Sequence, residues 1–135
     1  MLNYLVSAAI IAAIISILIK LGSRRKRLPE YKETKEKWEE IEALIKNDSG
    51  LSWRLAVIEA DKLMDSALKE ARMRGETMGE RLRFAASKYP KIHKVWEAHI
   101  LRNNLVHERD SEINKSEAKK ALDVFKEGLK VLGAL

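Results

Sequence analysis

Arg102, Asn103 and His107 are the side chains whose types and spacing could do chemistry. Histidine exchanges protons near neutral pH, and arginine carries a permanent charge on a planar fork of donors. Advancing about 100° per residue along the surrounding helical pattern puts Glu97, Asn104 and Glu108 on one narrow polar strip, with Leu101 beside it. Ile92, Val95, Trp96, Ala98, Ile100, Leu105 and Val106 take most of the remaining circumference, so a mostly buried helix is expected. Arg102, Asn103 and His107 fall off the polar strip, where an unpaired charge is costly. Either neighbouring helices supply partners or the three residues face a cleft. Asp61, bordering the apolar face of an earlier helix, is a candidate partner for Arg102.

Other candidates carry less. His93 and Glu97 are one turn apart, as metal ligands can be, but no further ligand converges on them and a solvated pair is the simpler reading. His99 shares a side with Val95 and Val106 and reads as a core histidine with its hydrogen bonds satisfied. Trp53 and Trp96 sit on core faces, so packing is expected of them before base stacking. No glycine-rich phosphate loop, serine or cysteine nucleophile arrangement or paired-carboxylate site is recognisable, and no cofactor is expected.

Four helices would have to position these residues. The first, about Ser52 to Ala71, carries Trp53, Val57, Ala60, Met64, Ala67, Leu68 and Ala71 on one stripe. Thr77 and Glu80 form a capping-box pattern for a short helix that stops before Pro90. The third runs from about Lys91 to His107, and the fourth opens at Asn114 with Glu117 three residues on, closing before Gly133. Short connections favour an antiparallel four-helix bundle over residues 51–135. Roughly eighty residues make a small core, so self-association would help it. Leu55 and Ile58, apolar but outside the main stripe, are candidates for a homodimer contact.

Ahead of this body, Leu2 to Ile19 holds no charged side chain, a length of roughly 27 Å as helix against a hydrocarbon core of about 30 Å. A transmembrane anchor over residues 1–21 is therefore expected, in contact with the lipid bilayer. Lys20, Arg24, Arg25, Lys26 and Arg27 follow the apolar run rather than precede it, unlike a cleaved signal. That order also predicts a single-pass protein of the cell membrane with its N-terminus outside and its body in the cytoplasm, with Arg24, Arg25, Lys26 and Arg27 at the membrane surface. Of the formal charge of +6, those five cations account for all but about +1, so a strongly basic face for nucleic acid is not evident in the body. Residues 22–50 then read as a basic juxtamembrane segment and an amphipathic stalk helix, Glu30 to Lys46, with Trp38, Ile41 and Ile45 on one side, a helix that either stands as a stalk or docks on the body. Asn47, Asp48, Ser49 and Gly50 break it, and the body is expected to begin there.

The segment His99-Ile100-Leu101-Arg102-Asn103-Asn104-Leu105-Val106-His107 resembles the HEPN superfamily of small four-helix domains. The matching signature is an arginine, a polar residue after it and a histidine five positions beyond the arginine, near the end of the third bundle helix. The resemblance covers the chain from about Leu51 onward. It implies, for some members, metal-independent RNA cleavage at a cleft to which two protomers each bring their arginine and histidine. Under that reading His107 exchanges a proton with the 2′-hydroxyl or leaving oxygen, Arg102 stabilises the phosphate and Asn103 orients the pair. Asn103 and His107 are one turn apart and can touch, whereas Arg102 lies about 140° around the helix from His107, which suits residues reaching from separate protomers. Many domains of this kind serve instead as binding modules. The reading that results is a membrane-anchored HEPN-like dimerisation module with an unidentified protein partner, the alternative being an endoribonuclease that acts on RNA.

Overall fold

The computed structural model describes the backbone of residues 2–108 and 111–135, and the side chains of all of these except 2–5 and 21–30. Among the described residues the chain is all-helical: α1 (Leu2–Lys46), α2 (Gly50–Glu70), α3 (Met78–Lys88), a 3-10 turn (Pro90–Lys94), α4 (Val95–His107) and α5 (Lys115–Val131). It divides into two compact units, Met1–Glu33 and Thr34–Leu135.

In the first unit the apolar side chains from Val6 to Ile19 are all exposed, and Ser16 Oγ donates back to Ala12 O at 2.9 Å. The expected transmembrane helix is not borne out: among the described residues no helix is long and apolar enough to cross a membrane. The side chains of Arg24, Arg25, Lys26 and Arg27, expected at a membrane surface, lie outside the described residues.

The second unit starts at Thr34, so residues 34–46 share one packed body with the helices that follow. Trp38, Ile41 and Ile45 are buried with Met64, Leu68, Leu82, Ile92, Leu105, Phe125 and Leu129 in one apolar cluster. Helix ends follow the local chemistry. Thr77 and Glu80 exchange capping bonds at 3.2 Å each, and Asn114 and Glu117 do so at 3.0 Å, each pair satisfying two orphan amides. The bonds from Glu76 N and Thr77 N hold the Glu80 carboxyl below its ordinary range. The third helix differs from the expected Lys91–His107, because Pro90 opens a 3-10 turn and regular α geometry begins at Val95.

Helix directions also depart from a simple antiparallel bundle. Helices α2 and α4 are antiparallel, since Arg54 bonds near the end of α4 and Asp61 near its middle. Helices α2 and α5 run in the same sense: Lys115 lies over Trp53, and Gly128 sits against Met64. The cause is that α3 has only 11 residues and leads straight into the turn before α4, so that α2, α4 and α5 alternate in sense. Gly128 permits this approach, because a Cβ there would stand 2.8 Å from Val95 Cγ2 and 3.0 Å from Met64 Cε. Arg81, almost fully buried, ties α3 to α2 by a two-pronged pair with Asp65 (2.8 and 3.1 Å) and donates to Gly75 O at 2.8 Å.

Candidate functional site

The seam between α2 and α4 is held by polar groups set among apolar ones. Asp61 falls on the inner face of α2 beside Val57, Ala60 and Met64 and is 2% exposed, so its carboxylate must find partners inside the protein. His99 Nδ1 lies 2.8 Å from Asp61 Oδ1 and Arg102 Nε 3.2 Å from Asp61 Oδ2. Asn103 closes the loop, its Nδ2 lying 3.3 Å from His99 Nε2 and its Oδ1 accepting from Arg102 Nη1 at 2.9 Å.

The four side chains form a ring with one self-consistent assignment of protons. Asp61 accepts the Nδ1–H of His99, which leaves Nε2 as an acceptor for the Asn103 amide, and the amide oxygen then accepts from Arg102. This requires a neutral imidazole. A proton on Nε2 would face the Asn103 donor, and turning the amide over would take its oxygen away from Arg102. One point in the ring is imperfect: Arg102 Nε is within ion-pair distance of Asp61, yet its N–H is not aimed at the oxygen and makes no hydrogen bond. Coulomb attraction is retained there while the directional part is lost.

Arg54 extends the seam by donating to Leu105 O, where α4 presents unpaired carbonyls and the negative end of its dipole. Periodicity gave no sign of this role, since an arginine beside the apolar stripe of α2 reads equally well as solvated.

The structure brings two of the three motif residues together and leaves the third apart. Arg102 and Asn103 belong to the ring, while His107, the last residue of α4, is exposed. Asn103 touches His99 one turn back, not His107 one turn ahead. The expectation of a mostly buried helix is corrected as well: Ile92, Val95, Ala98 and Leu105 are buried, but Ile100 and Val106 are 43% and 44% exposed. Trp53, expected in the core, is half-buried and donates from Nε1 to Asn47 O at 2.7 Å. His93 and Glu97 are exposed, and among the described residues no group of three or more His, Cys, Asp or Glu could hold a metal.

Chemically, the ring matches the Arg102 charge with the Asp61 carboxylate and so reduces what the guanidinium can offer a phosphate. The His107 imidazole is open to solvent and takes no part in the ring. The chain matches no family model, no curated protein and no solved structure.

Proposed function

We propose that the helical body is a HEPN-like dimerisation and binding module, in which Arg102 and Asn103 hold the α2–α4 seam rather than act on a substrate. The carrying observation is the ring, which commits both side chains to Asp61 and His99. Leu51, Leu55 and Val106 are 77%, 42% and 44% exposed, large apolar side chains on the two helices that Arg54 joins. They offer a second copy apolar contacts.

The exposure of His107, with the Arg102 side chain 25% exposed, favours the endoribonuclease as the alternative. One experiment separates the two. The full chain is examined by sedimentation over a range of concentrations and incubated with RNA in EDTA, beside Leu55→Glu, Arg102→Ala and His107→Ala. The module reading expects self-association weakened by at least about tenfold in Leu55→Glu, and no RNA cleavage by any form. Cleavage that disappears in His107→Ala while the fold is retained would establish the ribonuclease instead.

A further inference from the structure

A groove at the start of α4 has a construction of its own. Leu82 and Ala86 of α3, Ile92 of the 3-10 turn and Trp96 of α4 make its floor, Arg83 and His93 stand at its rim, and its volume is about 420 Å³. That is room for one or two large apolar side chains. Leu82 and Ile92 are almost fully buried, so the floor is anchored in the core.

The stretch of chain that supplies most of this groove is basic. Residues 71–94 carry seven Lys or Arg against two Glu, while the rest of residues 34–135 carries thirteen against sixteen Asp or Glu. The basic surplus of the compact unit therefore belongs to one short stretch. Of its charged groups Arg81 is engaged by Asp65, and Glu80 is engaged by its capping bonds. Arg72, Arg74, Arg83, Lys88, Lys91 and Lys94 are exposed.

We propose that this groove docks an acidic segment of a partner protein, which inserts an apolar side chain over Leu82, Ile92 and Trp96 and sets carboxylates against Arg83 and His93 at the rim. Charge complementarity selects an acidic partner and the apolar floor selects a side-chain anchor. The aromatic rings argue for protein over single-stranded nucleic acid, which needs open faces for stacking. Trp96 has Arg83 over its ring at 5.9 Å and Gly79 against its edge, and Phe84 carries Arg74 at 5.8 Å and Lys88 at 4.9 Å. The Ser87 hydroxyl donates to Phe84 O at 2.6 Å, so polar recognition rests on Arg83 and His93 at the rim. Trp96 stands beside His99 of the ring, ring centroids 6.2 Å apart, but no residue that lines the groove is one of the four ring side chains, so failure of docking leaves the module reading standing.

The test uses the full chain and fluorescently labelled synthetic helices with glutamate on one face and leucine, phenylalanine or tryptophan at i, i+4 and i+7 on the other. Controls are the same helices with lysine for glutamate, and a labelled oligouridine. Binding is expected for an acidic helix only, weakening as salt rises. Arg83→Glu combined with His93→Glu, both at exposed positions, should weaken it at least about tenfold, as should Ala86→Trp, which fills the groove. Retained circular dichroism in the double variant separates lost docking from lost fold. Binding by none of the acidic helices, unchanged binding in the rim variant, or tighter binding of oligouridine through the same residues would overturn the proposal.

Discussion

Removing Asp61 strips His99 and Arg102 of a shared acceptor at once, and Asp61→Ala should cost about 2–3 kcal/mol because the His99 donor and the partly buried Arg102 charge both lose it. His107→Ala, at an exposed helix end, should stay within about 0.5 kcal/mol. Urea unfolding of the two variants beside the parent reads the contrast, and equal effects would show that the ring does not carry the seam. The same residues mark how far the site was legible. A polar group on an apolar helix face must have a partner, which pointed to Asp61 for Arg102 and to a satisfied His99. The direction taken by Asn103 was not legible, since an i, i+4 contact reaches His99 or His107 equally well. The choice falls to α2, whose Asp61 fixes the His99 tautomer and turns Nε2 toward Asn103.

Among the elements, those set by short-range bonds were readable in advance and those set by burial were not. Both capping boxes follow from residues three apart, and Asn114→Ala should lower stability by about 1 kcal/mol in thermal or urea unfolding. The clamp between α2 and α3 depends on contacts sixteen residues apart that no periodicity reveals. Burial pushes the Asp65 carboxyl up, but hydrogen bonds from Arg81 and then Lys69 outweigh it and hold the group below its ordinary value. A lowered folded value means that the unfolded chain takes up the proton first. The clamp's contribution is therefore complete above the usual carboxylate range, near pH 4, and is lost as pH falls through and below it. Urea midpoints of the parent and Asp65→Asn should differ most near neutrality and converge in acid. A gap that is constant from neutral pH downward would mean that Asp65 does not titrate with folding.

At the scale of the whole molecule, the break at Asn47–Gly50 is real as a helix end but is not the edge of the packed body. The stripe of Trp38, Ile41 and Ile45 was visible as an amphipathic face, yet a single face does not say what it covers, and a stalk and a core helix share that pattern. Here the three residues are 3%, 4% and 9% exposed. Lys126 of α5 reaches both the Trp38 ring, at 5.8 Å, and the Glu42 carboxylate, which also accepts from Trp38 Nε1 at 2.9 Å. The hydrogen bond from Lys126 and then burial act in opposite directions on Glu42, and the net effect holds its carboxyl below the ordinary range. If this helix is part of the core, Trp38→Ala should destabilise the body by about 3–5 kcal/mol, as truncation of a buried aromatic does. Glu42→Gln, which keeps an acceptor for the indole and loses only the charge, should cost no more than about 1 kcal/mol. Denaturant unfolding followed by circular dichroism measures both. A small effect of Trp38→Ala would return residues 34–46 to the role of a stalk lying on a body that folds without them.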